Sequence, residues 1–218
     1  MDKPMNQNQT QSSKMNKKPL YVIIDNGHGT REYTKGKCAP DKSLYEGEWN
    51  RDFAKKLGNM FAASNIEYQY LVLENQDIGL RERVNRANKI YYEKCKQYEV
   101  ILISVHINAA GNDSKWHDAR GFTVWVSTNA GDKSKTLGKL IGQEATTAGL
   151  RGNRYIPKEQ YHTRGFTIIH DTKMPAILCE HLFMDNKEDL AMLKDPEQCN
   201  KLLDIYKYVF KRWDKEGF

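Results

Sequence analysis

Three short apolar runs each lead into a residue able to bind a metal or move a proton. Leu20–Asp25 (LYVIID) runs into Asn26-Gly27-His28-Gly29-Thr30, Val100–Val105 (VILISV) into His106-Ile107-Asn108, and Ala176–Cys179 (AILC) into Glu180. Between the first two, Glu46 and Glu48 stand at the head of an amphipathic stretch. Two imidazoles and one carboxylate make the three-ligand set of a catalytic zinc site, which keeps a fourth position open. Imidazole with carboxylate suits zinc, and hydrolysis calls for no redox metal. Bound zinc lowers the pKa of its water to about 7 and polarises a carbonyl. A further, unligated carboxylate can take a proton from that water and pass it to a leaving amine. The residue types alone leave open which of Glu46, Glu48 and Glu180 is the ligand. Glycines on both sides of His28 let the chain turn sharply and leave room for a substrate.

These residues need a scaffold that brings distant strand ends together. Within Tyr45–Ala63 the apolar positions Trp49, Phe53, Leu57, Met60 and Phe61 recur at helical spacing, as do Leu80, Val84, Ala87, Ile90, Tyr91 and Cys95 within Leu80–Tyr98. Lys133–Ala148, Lys187–Leu193 and Pro196–Trp213 read as further helices, and Tyr68–Leu73, Gly121–Val126 and Phe166–Ile169 as further strands. Strands alternating with helices imply βαβ units and a largely parallel sheet. A run as apolar as VILISV suits a sheet covered on both faces. The expected fold is therefore one α/β domain over residues 19–218, with a twisted, mostly parallel sheet flanked by helices on both faces. In such sheets chemistry collects beyond the carboxyl ends of the strands.

Composition narrows the setting. The chain has 218 residues, enough for one domain with a full core. Residues 1–18 are polar, lack the apolar segment of a signal peptide, and read as a disordered tail. No apolar run approaches the roughly 20 residues needed to span a bilayer, which excludes a transmembrane segment. The net charge of +6 favours polyanionic surroundings. No nucleic-acid motif accompanies it, and the scatter of lysines reads mainly as solvated faces. Cys38, Cys95, Cys179 and Cys199 include no CxxC pair and fit no disulfide framework. Cys179, inside an apolar run, reads as a buried free thiol, and the set suits synthesis in a reducing compartment.

At the chemistry-bearing residues the chain resembles the zinc-dependent N-acetylmuramoyl-L-alanine amidases of the amidase-3 type. Ile23–Gly29 (IIDNGHG) is similar to the opening metal motif, with Asn26 where proline is usual. Tyr45–Leu57 (YEGEWNRDFAKKL) resembles the helix that begins with a glutamate ligand, and Leu80–Asn88 (LRERVNRAN) a characteristic arginine-bearing helix. Ser104–Ala109 (SVHINA) and Met174–Asn186 (MPAILCEHLFMDN) resemble the second histidine motif and the catalytic-glutamate segment. The resemblance implies that His28, Glu46 and His106 hold one zinc ion per chain and that Glu180 is the catalytic acid/base. Glu46 is favoured over Glu48 because it precedes Trp49-Asn50 in the family's manner. A glutamate two positions further along a helix also points off the ligand's face.

Other residues are expected to be structural. His181 should face away from Glu180 if the strand continues. Arg81, Arg83 and Arg86 should pack the sheet edge or pair with an acid. His117 and His170 match no ligand position, and His162 and Arg164 either contact substrate or lie on the surface. The implied activity is hydrolysis of the amide between N-acetylmuramic acid and L-alanine in peptidoglycan, by a monomer with no nucleic-acid partner and no stable membrane insertion. The alternatives are another zinc peptidase acting on the stem peptide and a non-catalytic wall-binding module. A basic chain made in the cytoplasm without a signal peptide and acting on the cell wall fits a phage endolysin, with a bacterial enzyme exported by an atypical route as the runner-up.

Overall fold

The computed structural model describes residues 17–216. The tail expected at the N-terminus falls, over residues 1–16, outside the described residues. In chain order the elements are β1 (Leu20–Asn26), α1 (Glu46–Ala63), β2 (Glu67–Tyr70), α2 (Leu80–Lys94), β3 (Glu99–Asn108), β4 (Thr123–Val126), α3 (Asp132–Thr147), β5 (His162–Thr163), α4 (Thr167–His170), β6 (Ala176–Phe183), α5 (Lys187–Lys194) and α6 (Pro196–Glu216). The six strands form one sheet in the order β2-β1-β3-β6-β4-β5. Every pairing is parallel except β4 with β6. The α/β expectation holds, with a mixed rather than wholly parallel sheet.

Alternation along each strand divides the core into two layers. Leu20, Val22 and Ile24 of β1 and Ile101, Ile103 and Val105 of β3 face a large cluster built with Phe53, Leu57 and Phe61 of α1, Leu137 and Ile141 of α3, and Leu202, Tyr206 and Phe210 of α6. Tyr21, Ile23, Val100, Leu102 and Leu178 face a smaller cluster built with α2 and α4. Burying each Leu, Ile or Phe contributes about 1.5–3 kcal/mol. The smaller layer has only the four residues of α4 against β6, so the carboxyl end of that face stays open beyond Leu178.

Several boundaries differ from the sequence expectation. Phe166–Ile169 is not a strand. Ile168 and Ile169 both enter the α2/α4 cluster, and adjacent residues share a side in a helix, whereas in a strand they point apart. The short strand of that region is His162–Thr163 instead. β2 stops at Tyr70, although the Leu71 N–H still donates to the Ile24 carbonyl at 2.8 Å. β3 and β6 run past the expected ends, so His106 and Glu180 lie within strands rather than after them. All four cysteines are free, and Cys179 is buried as expected.

His181 is on the opposite face from Glu180, as strand alternation required, and is 0% exposed. Its Nδ1 lies 3.0 Å from the His106 carbonyl oxygen, and its Nε2 lies 2.7 Å from the Tyr206 hydroxyl. A carbonyl only accepts, so Nδ1 donates and Nε2 accepts from Tyr206. Burial pushes the His181 pKa down to about 3, which keeps the imidazole neutral among Phe53, Phe122 and Tyr206. Replacing Tyr206 with Phe strands a buried acceptor and should cost about 1–3 kcal/mol in urea unfolding, with the slope unchanged. Unaltered stability would show that the Tyr206 hydroxyl does not support His181.

Candidate metal centre

Parallel pairing of β1, β3 and β6 brings their carboxyl ends side by side. Asn26 pairs in register with Val105, and His106 with Glu180. His106 and Glu180 share the parity of Leu102 and Leu178 and project from the open end of the α2/α4 face. The turn after β1 carries His28 over the same edge. α1 packs on the opposite layer, and its first residue, Glu46, reaches the strand ends from that side.

The three groups meet closely. His106 Nδ1 lies 3.1 Å from Glu46 Oε1, and His28 Nε2 lies 3.5 Å from Glu46 Oε2. The two rings stand perpendicular with centroids 5.1 Å apart. One donor atom from each of His28, Glu46 and His106 falls within 4.8 Å of the others. Glu46, 2% exposed, also accepts from the Ile107 N–H at 3.0 Å. Burial works to raise its carboxyl pKa, but the His106 hydrogen bond and both imidazoles outweigh this and hold it below the usual range. Burial lowers His28, with Glu46 opposing. His106 is raised, because Glu46 overcomes the opposite effect of burial.

Local sequence explains the tight assembly. A Cβ on Gly27 would fall 2.2 Å from the His106 ring, and one on Gly47 would fall 1.8 Å from the Gly29 carbonyl oxygen. Only glycine lets the His28 turn and α1 approach this closely. His28 itself adopts φ +62°, a left-handed conformation held by hydrogen bonds. Asn50 donates to the Gly27 carbonyl at 3.1 Å, and Arg51 donates to those of His28 and Glu74 at 2.8 Å each. Glu46 has its own N–H on the Lys37 carbonyl at 2.9 Å.

Glu180 stands beside this trio without hydrogen bonding to it. Its Oε2 is enclosed and has no hydrogen-bond partner among the described residues. Burial, reinforced by Glu46 and opposed by His106 and Lys37, lifts its pKa to about 7. It is a carboxyl able to take up or release a proton near neutrality, next to three groups able to hold a cation. Glu48 goes elsewhere: Arg31 grips it with two hydrogen bonds of 2.6 and 2.9 Å, one helix face away from Glu46.

A family profile described as N-acetylmuramoyl-L-alanine amidase matches residues 22–207. The chain belongs to this family. An endolysin of Bacillus phage SPP1 is 26% identical over 185 residues, covering 84% of this chain and 62% of that protein. The N-acetylmuramoyl-L-alanine amidase LytC of Bacillus subtilis is 30% identical over 173 residues, covering 79% of this chain and 31% of that protein. The chain therefore spans less than two thirds of the length of these curated relatives. Among solved structures, an N-acetylmuramoyl-L-alanine amidase from Clostridium difficile 630 superposes with TM-score 0.72 at 23% identity, covering 92% of this chain and all of that one. The catalytic domain of the amidase CwlV gives 0.69 at 20% identity over 90% of this chain. These likenesses bear out the fold.

Within this family fold, the remaining histidines and arginines scatter. His117 pairs with Asp113, and His170 with Asp171. His162, on an outer strand, lies tilted against Trp125 with ring centroids 4.7 Å apart, and Arg164 lies over Phe166. Arg83 does pair with an acid. It is buried and donates to Asp25 Oδ1 at 2.6 Å and to the Asn26 carbonyl at 2.8 Å. Ser104 donates to the other Asp25 oxygen at 2.6 Å. Sequence reasoning passed over Asp25, although an acid ending a fully apolar run must find a counter-charge. It also missed Asn50, Arg51 and Asp77, whose Oδ2 is 3.8 Å from His28 Nδ1. Their roles depend on loops meeting α1.

Arg83→Ala would leave Asp25 buried without its cation beneath the His28 turn. A loss of about 3–5 kcal/mol in urea unfolding is expected. A loss below about 1 kcal/mol would show that Asp25 draws its stability from Ser104 and the backbone instead.

Proposed function

We propose that the protein is a zinc-dependent amidase that hydrolyses the bond between N-acetylmuramic acid and L-alanine in peptidoglycan. One observation carries the reading: His28, Glu46 and His106 converge at the strand ends with an unpaired Glu180 register-matched to His106. Family membership and the named activity of LytC favour the amide among the bonds such a centre could cut.

The donor set fits zinc: two neutral-capable imidazoles and a buried carboxylate held below its usual pKa. His28, Glu46 and His106 would hold the ion, which supplies Lewis-acid polarisation when bound. Arg51 and Asn50 fix the His28 turn, and the Ile107 N–H fixes Glu46, so the chain presents these donors with little rearrangement. Glu180 acts as general base toward a water, taking its proton as the oxygen bonds to the lactyl carbonyl carbon. It then returns that proton to the alanine nitrogen as the C–N bond breaks. The products are a muramic carboxylic acid and a stem peptide with a free amino terminus. Burial raises this carboxyl in the protein alone, and a cation held beside it would draw it down again. The setting is lytic action on the cell wall, in keeping with the endolysin relative. Among the described residues no helix is long and apolar enough to cross a membrane.

Elemental analysis should find one zinc per chain, lost from His28→Ala and Glu46→Ala and kept by Glu48→Ala. Zinc retained in Glu46→Ala but lost from Glu48→Ala would reverse the ligand choice. Glu180→Gln should keep its zinc and its fold while turnover falls by about 10²–10⁴-fold. Near-normal turnover would remove Glu180 from the mechanism, and loss of zinc would make it a ligand. Mass analysis of digested peptidoglycan should show intact stem peptides freed from glycan, whereas shortened peptides would point to a peptidase.

A further inference from the structure

A cleft of about 380 Å³ opens beside the metal centre, between residues 35–42 and 109–115, with Met184 and Asp185 also lining it. All of its borders are tied to the site. The Lys37 carbonyl holds the Glu46 N–H, residue 109 follows β3, and the Met184 N–H donates to the Asn108 carbonyl at 2.9 Å. Four lysines line it, Lys35, Lys37, Lys42 and Lys115, against a single acid, Asp185. Lys35, Lys37 and Lys42 make no ion pair within 4.0 Å among the described residues, while Lys115 meets Asp113 only at 3.9 Å. The charge of Lys37 reaches the catalytic groups, since it acts on both His28 and Glu180.

Asp185 adds an independent sign of a missing partner. It is 5% exposed, and its Oδ2 accepts from the Ala110 and Gly111 N–H groups at 2.7 and 3.1 Å. Its Oδ1 is enclosed with no partner among the described residues. A buried carboxylate oxygen without a donor is costly and calls for one from outside. The cleft thus offers cations for carboxylates, and its lining holds one buried acceptor that an N–H entering there would satisfy. A peptide carrying free carboxylates has both, whereas a phosphate polymer lacks the N–H. The volume is within the range of small-ligand sites.

We propose that this cleft binds the acidic stem peptide, the leaving side of the scissile amide, and reads its free carboxylates through Lys35, Lys37 and Lys42. This rests on the amidase reading and adds a specificity to it: stem peptides with free carboxylates are favoured over those whose carboxylates are amidated.

Calorimetric titration of the zinc-loaded protein with a soluble stem tetrapeptide tests it without hydrolysis. The probe is used in two forms, free acid and carboxamide, with a glycerol-phosphate oligomer as a third. We expect the free acid to bind about tenfold more tightly, as two or three partly exposed charge pairs allow. In the Lys35→Ala/Lys42→Ala double variant, at surface positions tolerant of change, the preference should shrink to about twofold, as a single remaining pair allows. Equal affinity of the wild type for both peptides would overturn the proposal, as would an unchanged preference in the double variant. Tighter binding of the phosphate oligomer, lost with the same lysines, would assign the cleft to a wall polymer and also overturn it. Mass analysis of products on the same preparations separates the two readings. Carboxylate preference without release of stem peptides leaves the cleft standing and fails the amidase. Release of stem peptides without that preference does the reverse.

Discussion

A carboxylate taken out of water at the head of α1 sets the terms for the site around it. Glu46 is nearly inaccessible, and an ionised acid there is tolerable only if several donors surround it. His106 and the Ile107 N–H donate to it from β3, and His28 approaches to 3.5 Å from the turn after β1. Its place in the first turn adds the favourable end of the helix dipole. The contact also has a steric condition. α1 must come close enough that Gly47 touches the Gly29 carbonyl, and the His28 turn close enough that Gly27 touches the His106 ring. Larger residues at either glycine would push the acid away from its partners.

The rest of the fold serves that approach. Parallel pairing of β1, β3 and β6 aligns three carboxyl ends, and the buried Asp25–Arg83 pair anchors the first of them from α2. The two core layers are unequal. The thick layer under α1, α3 and α6 fixes the strands and buries His181 as a neutral, fully bonded imidazole. The thin layer leaves the end of the other face uncovered, where His106 and Glu180 emerge. Consecutive residues of β6 therefore have opposite fates: Glu180 faces the open end with an unpaired oxygen, and His181 is sealed behind it.

The electrostatics of the edge follow from burial more than from net charge. Glu46 and Glu180 lie near one another, yet one is held below the ordinary carboxylate range and the other is raised to about 7. The difference comes from partners, since Glu46 is hydrogen bonded by His106 and a backbone N–H, while His106 acts on Glu180 only through its charge. Under the proposed function, such a separation suits one side chain to holding a cation and the other to moving a proton.

Much of this was legible in the sequence because it is local. Helical spacing exposed α1 and α2, apolar runs exposed β1, β3 and the start of β6, and the residues just past those runs named His28, His106 and Glu180. Strand alternation alone turned His181 away from Glu180. Other features needed the fold. Phe166–Ile169 is too short for its period to distinguish strand from helix, and only the shared cluster of Ile168 and Ile169 decided it. Glu46 and Glu48 are equivalent in type and nearly so in position. Helix geometry said they diverge, but which one meets the histidines was set by the packing of α1 and by Arg31 claiming Glu48. The lysine-lined cleft and the orphaned Asp185 oxygen left no mark in any local pattern. They arise where segments more than 60 residues apart in the chain meet, and sequence periodicity carries information only about neighbours within a few turns.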